Sequence, residues 1–392
     1  MPQSGGAQVL GSTLGSLFLI SVLGLFLELL LIRWISTEIR IFAYLQNTVL
    51  VVCFLGLGMG CWDSRRPFAL RDMLIPLAIL VTLLALPQTR VVLGSISTML
   101  SSLGDLVIWG DEESSRWSAF VSVAIGLALT FALMVLLWEI FVPVGRLLGR
   151  LMADDPRIIR AYSVNVAGSL IGIWLFVLAS ALYLPPAAWF IVFGVLAAAF
   201  VGTGGKSSRV DVGLLVGIIV LAAAAGYEPG YEEIRWTPYQ KLALVKNVGS
   251  GENQPEWMKK VLGLRPILQS DPDRIQIAVN NTGYQAMMDL RPQAIGTGPR
   301  DFPPEQRGYS QYDLPPKLHP KPTSMLVVGA GSGNDAAHCV TELKGSWRWR
   351  LTRASSNTAG GYILSDRTTI HVAPSSTTTP EATSQRAARS ST

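Results

Sequence analysis

Charge is what this sequence has least of. Only 15% of its 392 residues are Asp, Glu, Lys or Arg, against about 25% in soluble globular domains. That shortage excludes a disordered protein, a nucleic-acid arm and an ordinary cytosolic enzyme. Cysteine is scarce too. Cys53, Cys61 and Cys339 offer no CxxC spacing and no disulfide framework, and the first two fall inside one apolar run as packing residues. His319, His338 and His371 form no metal pattern, so no metal is expected. The net charge of +5 is modest, and the arginines sit mostly between apolar runs, so nucleic acid is not expected as a partner.

What the chain does have is apolar weight, unevenly placed. Hydrophobic residues make up 49% of it. Residues 1–227 are a series of long apolar runs, and from Tyr227 onward the chain is polar and Pro-rich. This predicts a transmembrane helical domain over 1–227, with the lipid bilayer as its partner, followed by a soluble half. A span needs about 20 mostly apolar residues. The candidates are 13–33, 43–62, 73–92, 118–141, 162–182, 187–204 and a short 212–227. The first outlasts a signal-peptide core and no small-residue cleavage site follows, so it is kept as a span. The stretch 93–117, with Asp111, Glu112 and Glu113, is expected to be a loop or surface helix.

Polar residues within the spans carry information. Glu28 lies in Phe26-Leu27-Glu28-Leu29-Leu30, with Arg33 five residues on. An intramembrane ionisable group is a functional hypothesis by default; the structural alternative is a basic partner inside the bundle. Tyr162, Asn165 and Gly168 put a polar stripe and a small residue on one helix face, a pattern that serves helix packing. No inverted repeat or paired broken helix stands out, which weighs against a transporter with a soluble sensor.

Arg65, Arg66, Arg71, Arg146, Arg150, Arg157, Arg160, Lys206 and Arg209 all lie in alternate loops. The positive-inside rule places those loops, and the N-terminus, in the cytoplasm. Seven spans then leave the soluble half outside. A nucleotide-type cosubstrate demands the inside, and that demand sets the expectation: a multi-pass protein of a bacterial inner (plasma) membrane with a cytoplasmic soluble half.

In the soluble half, residues 228–322 are expected to carry short strands around a substrate segment. Trp236-Thr237-Pro238-Tyr239-Gln240-Lys241-Leu242-Ala243-Leu244 has a strand-like tail. Arg274 to Val279 alternates like a half-buried strand, runs into the turn signal Asn280-Asn281-Thr282-Gly283, and precedes a short helix expected over 284–290. A Pro/Gly-rich loop follows at about 291–308. The start of a Rossmann-like domain is expected over 323–345. There Met325-Leu326-Val327-Val328 feeds Gly329-Ala330-Gly331-Ser332-Gly333-Asn334-Asp335. Glycines suit a backbone with positive φ and a closely approaching ligand, and a helix N-terminus favours an anionic or polar group. G-x-G-x-G after a strand suits the S-adenosylmethionine class of Rossmann-like transferases; a tight turn with no ligand is the alternative.

Together these segments resemble the membrane-anchored spermidine synthase-like proteins. The strand and Gly329 to Asp335 are similar to their motif I. Pro238 to Leu242 resembles the YQ strand of polyamine synthases, and Asn281-Thr282-Gly283-Tyr284-Gln285 their D-G-x-x-Q segment. Tyr309-Ser310-Gln311-Tyr312-Asp313 sits where they carry a tyrosine-rich helix, and Glu28 to Arg40 resembles their membrane half. The resemblance covers most of the chain to about residue 337. It implies a transferase using S-adenosylmethionine or its decarboxylated form as cosubstrate, with a small-molecule amine as acceptor. It implies that Gly329, Gly331, Gly333, Asp335 and Gln240 bind the cosubstrate, and that Tyr239, Gln285 and Tyr309 bind substrate. Two positions depart: Ser332 and Asn281 stand where polyamine synthases carry Asp. Both remove negative charge from a site for a cationic substrate, which counts against true aminopropyl transfer.

The end of the chain departs further. After motif I such a domain needs a second strand ending in an acid for the ribose hydroxyls and a later acid as catalytic base. Here Gly345 to Leu351 is followed by a Ser/Thr/Ala-rich tail, so residues 346–392 are expected to be disordered. Codons read one base out of register reconcile the two. Ser346 through Arg353 then permits Val-Ala-Val-Glu-Ile-Asp-Pro, and Pro374 through Ser384 permits Val-Val-Asn-Asp-Asp-Ala-Arg-Ser-Tyr-Phe. Both resemble the family's missing segments, in order and in one frame. A one-base shift near Ala337 or His338 is therefore expected. The predicted fold is an α-helical transmembrane bundle of about seven spans followed by a truncated Rossmann-like α/β domain. The function it implies is a transferase inactive as encoded, or a non-catalytic membrane protein with a transferase-like binding module.

Overall fold

A computed structural model describes residues 13–101, 116–202, 208–227, 231–246, 275–287, 318, 325–328, 347–352 and 369–374. The chain divides into two compact units, the first holding Met1–Leu244, Val248–Gln269 and Ala278–Thr282, the second the remainder.

The first unit is helical because its sequence is a succession of apolar runs with few interruptions. Its helices are α1 (Thr13–Glu38), α2 (Arg40–Tyr44), α3 (Gln46–Trp62), α4 (Leu70–Ala85), α5 (Pro87–Gly94), α6 (Ile96–Ser101), α7 (Arg116–Asp154), α8 (Ile158–Ala181), α9 (Pro186–Ala198) and α10 (Ser208–Ala225). Each of the seven predicted spans falls on a helix, and the helices differ in length. Among the described residues four helices are long and apolar enough to cross a membrane, α1, the Phe120–Asp154 part of α7, α8 and α10, or five when a bent pair counts as one span. At 1.5 Å per residue α3 reaches about 25 Å and α9 about 20 Å, short of a bilayer's hydrocarbon core of about 30 Å.

The bent pair replaces the single span expected over 73–92. Leu70–Ala85 and Pro87–Leu100 meet at 87°. Pro87 lacks the N–H that would continue the α4 ladder and starts a new helix instead. The carbonyls freed at the break are taken by side chains. Thr89 Oγ1 donates to Leu83 O at 2.6 Å and Arg90 Nε to Leu84 O at 2.8 Å. Arg90 Nη2 also donates to Ala225 O at 2.5 Å, so one guanidinium caps the ends of α4 and α10. Part of the stretch expected to be a loop or surface helix is thus α5 and α6; residues 102–115 lie outside the described ones.

Small residues set the helix spacing. Gly60 of α3 faces Gly145 of α7, with Gly56 against Trp138 and Gly149 against Cys61, so near that a Cβ on Gly60 would run into the Val142 carbonyl and one on Gly145 into the Leu57 carbonyl. Close backbone approach of this kind is how apolar helices gain packing contacts in lipid. The expected polar stripe on α8 packs similarly. Gly168 and Gly172 lie against Phe18 and Val22 of α1, and Ser21 Oγ donates to Asn165 Oδ1 at 2.8 Å. Tyr162, from the same stripe, is exposed. Gly60→Leu is expected to pry α3 from α7 and cost about 3 kcal/mol, lowering the thermal unfolding midpoint in detergent. Gly58→Leu on the same helix is the control, because no atom lies within 4 Å of the added Cβ.

Strands β1 (Tyr231–Trp236), β2 (Lys241–Lys246), β3 (Ile275–Val279) and β4 (Thr282–Met287) form a sheet in that order. β3 turns into β4 through only Asn280 and Asn281, at φ 48° and 61°. Two successive left-handed residues make the type I′ turn that matches strand twist, and Asn tolerates them best after Gly. The helix expected over 284–290 is corrected: once that turn is made, Thr282–Met287 pairs as a strand, and pairing overrides the local propensity of its Ala and Met.

In the second unit, β5 (Met325–Val328), β6 (Trp347–Thr352) and β7 (Thr369–Pro374) form a sheet ordered β5-β7-β6. Both pairings are antiparallel, with Met325 opposite Val372 and Trp347 opposite Pro374. The strand expected before Gly329 is present. The neighbours are not those of a doubly wound domain, whose strands run parallel. The stretch 346–392, expected to be disordered, supplies two of the three strands. Trp347, Trp349 and Leu351 alternate with Arg348, Arg350 and Thr352, the two-residue period of a strand.

Candidate functional site

The most heavily bonded polar cluster among the described residues joins the end of α1 to the β1–β2 and β3–β4 turns. It starts at Thr237. Its hydroxyl accepts from Gln240 N at 3.0 Å and donates to Gln240 O at 2.8 Å, and Thr237 N also donates to Gln240 O at 3.0 Å. Pro238 takes the second turn position, which its fixed φ suits. This closed turn exposes Tyr239 at its tip, 86% accessible.

Arg33 grips the turn from α1. Its Nη1 donates to Pro238 O at 2.7 Å and its Nη2 to Thr237 O at 2.8 Å. One turn further along α1, the buried Glu38 carboxylate pairs with Lys241 Nζ at 3.4 Å and accepts from Asn281 Nδ2 at 2.8 Å. Lys241 is 2% exposed, and its ammonium also lies 5.8 Å from the Tyr231 ring centroid and 5.7 Å from that of Trp236, within cation–π range. Lys241 N donates to Asn280 Oδ1 and Asn280 N to Lys241 O, both at 3.0 Å. Both turns are thereby fixed to one helix end.

The geometry corrects several expectations. Tyr239 and Gln240 stand in the turn before β2 and not within a strand, because Pro238 and the Thr237 hydroxyl close the chain there. The basic partner expected for Glu28 does not stand at its carboxylate among the described residues, and Arg33 turns instead to the Thr237 and Pro238 carbonyls. Glu28 is buried, and neither carboxylate oxygen has a hydrogen-bond partner among the described residues. Asn281, where the resemblance expects Asp, donates to Glu38; an Asp would oppose a second carboxylate there. Gln285 lies in β4. Gly329, Gly331, Gly333, Asp335 and Tyr309 lie outside the described residues.

Glu38, Lys241 and Asn280 were not singled out from sequence. Lys241 carried a signal: strand alternation puts it on the same face as the buried Ala243, and a charge on an apolar face demands a partner. The acid that ends the first apolar run is that partner. Compared with known proteins, the chain matches no family model, no curated protein and no solved structure.

Proposed function

We propose that this chain is a membrane-bound, spermidine synthase-like protein that holds a cosubstrate-type site without turning substrate over. The observation that carries this is the joining of Pro238–Leu242 to the Asn280–Asn281 turn. These segments resemble two family motifs, lie some 40 residues apart, and are hydrogen-bonded to each other and to α1. β5 ends at Val328, and Gly329 follows it in the sequence. S-adenosylmethionine or its decarboxylated form is the ligand proposed for Gly329, Gly331, Gly333, Asp335 and Gln240. A small amine is proposed near Tyr239, Gln285 and Tyr309. Inertness is part of the proposal because no segment after Gly345 matches the family's strand with its ribose-binding acid or the segment with its base.

The test is equilibrium dialysis of the detergent-solubilised chain with radiolabelled S-adenosylmethionine and its decarboxylated form. Saturable binding that falls at least tenfold in Gly331→Val is expected, because a branched side chain fills the space of close approach. No transfer to a diamine is expected. Absence of binding, or binding indifferent to that substitution, sinks the proposal.

A further inference from the structure

We infer that the bundle sits with its arginine-rich end at the cytoplasmic leaflet, so that β1 and the Thr237–Gln240 turn lie on the opposite face of the membrane. This does not depend on the transferase-like reading.

Helix direction follows from side-chain pairings. Asp63, just after α3, pairs with Arg146 of α7 at 2.9 Å, and Cys61 lies beside Gly149. Farther back, Gly56 meets Trp138; α3 and α7 are therefore parallel. Arg71, at the start of α4, pairs with Asp211, at the start of α10, at 3.5 Å, and Arg90 caps the end of α10; after the bend, α4 and α10 finish together. On α8, Asn165 meets Ser21 and Phe176 meets Phe26, so α8 runs with α1. α9 runs against α1: its early Phe190 stacks on Trp34, near the end of α1, and Phe200, just past its end, on Phe68, just before α4.

One end of the bundle thus collects the starts of α1, α4, α8 and α10 and the ends of α3, α7 and α9. The other holds the end of α1, where Arg33 and Glu38 grip the turns, and the end of α10, after which Trp236 stacks on Trp189 at 5.2 Å.

The charges divide along the same line. The loops after α3, α7 and α9, with the residues flanking them, carry nine basic residues: Arg65, Arg66 and Arg71; Arg146, Arg150, Arg157 and Arg160; Lys206 and Arg209. The opposite loops, with the residues flanking them, carry Arg33, Arg40, Arg90 and Arg116, and the residues soon after α10 add Arg235, Lys241 and Lys246. The three basic loops are short, the condition under which Lys and Arg set orientation. Asp63, Asp72, Asp154, Asp155 and Asp211 share the basic end, but acids contribute little to orientation, and anionic headgroups of the cytoplasmic leaflet attract the excess arginines. This orientation opposes the cytoplasmic placement expected from cosubstrate supply, and it sets the Gln240 turn on the face away from a cytoplasmic S-adenosylmethionine pool, so the two proposals stand or fall separately.

The experiment uses the full chain with Cys53→Ala, Cys61→Ala and Cys339→Ser, and one added cysteine. Tyr239→Cys reports on the turn; Pro67→Cys, at an exposed position between α3 and α4, reports on the basic end. Spheroplasts of a bacterial host are treated with a membrane-impermeant maleimide before or after lysis. Labelling of the Tyr239→Cys chain in intact spheroplasts, with Pro67→Cys labelled only after lysis, is expected. The reverse pattern, or labelling of both before lysis, overturns the inference. Should the cysteine-free chain not accumulate, fusions to the native chain after Lys246 decide. Alkaline phosphatase is expected to be active there and a green fluorescent reporter dark; the opposite pair overturns it.

Discussion

Shifting the reading by one base near codons 337 and 338 is expected to turn the chain, proposed to be inert as encoded, into a working transferase. As encoded, the residues after motif I supply Trp347–Thr352 and Thr369–Pro374, two strands that pair antiparallel with β5. A transferase of the proposed kind needs a parallel strand at this point, ending in an acid that holds the ribose hydroxyls. Ser346 through Arg353 in the shifted frame permits Val-Ala-Val-Glu-Ile-Asp-Pro, an apolar strand with its acid. The later Asp-Asp-Ala-Arg supplies a base. General-base catalysis alone is worth about 10²- to 10⁴-fold. The frame-shifted chain in detergent should therefore transfer to a diamine at least about 100-fold faster than the chain as written. Both forms of the cosubstrate need testing, since Ser332 and Asn281 carry no negative charge where polyamine synthases carry Asp. Product formation measured by mass spectrometry checks it. Equal, background-level product from both chains would remove the frame argument and leave the non-catalytic module. Sequencing the gene from the codon of Asn334 onward is the companion observation, because the shift requires a base change there.

Legibility varied with the kind of signal. Helices fall on all seven apolar runs because a long run of Leu, Ile, Val and Ala has few alternatives to a helix in lipid. Their lengths were harder to read. Pro87 gives no sign in an apolarity count but ends α4, and α7 passes Pro143 and continues to Asp154, 13 residues beyond the predicted end at 141, its last turns anchored by Arg146 on Asp63 and by Arg150 on the Ser64 and Arg66 carbonyls. β3 and its turn were legible because Asn-Asn between alternating residues has a definite backbone meaning. β4 was not, because Gln285, Ala286 and Met287 favour a helix locally, and only pairing with β3 across the two-residue turn overrides that preference. The candidate site was only partly legible. Motif resemblance pointed to Tyr239, Gln240 and Gln285, but the polar bonds run through Arg33, Glu38, Lys241 and Asn281. These connect residues more than 200 positions apart, and sequence alone offers no measure of that distance.

The same cluster should dominate the stability of the segment after α10. Glu38 and Lys241 are 6% and 2% exposed, so each is costly to leave without its partner. Removing one member of a buried ion pair costs about 3–5 kcal/mol, whereas replacing both by apolar groups of similar volume is often neutral. Lys241→Met is therefore expected to destabilise strongly, because it strips Glu38 of its cation while Asn281 alone remains on the carboxylate. Glu38→Leu should cost a similar amount. The double variant should recover most of the loss, giving a coupling energy of at least about 2 kcal/mol in a double-mutant cycle. Asn281→Asp should destabilise for a different reason: it swaps a donor for a carboxylate facing Glu38, and the loss should ease when Glu38→Gln is added. Trp236 stands over Lys241 and against Trp189, so tryptophan fluorescence during thermal unfolding in detergent follows the region directly. Additive losses in the Glu38–Lys241 double variant would mean that the two residues act separately and that Arg33's hold on the Thr237–Gln240 turn carries the attachment. Recovery would mean that the ion pair fixes the strand to α1.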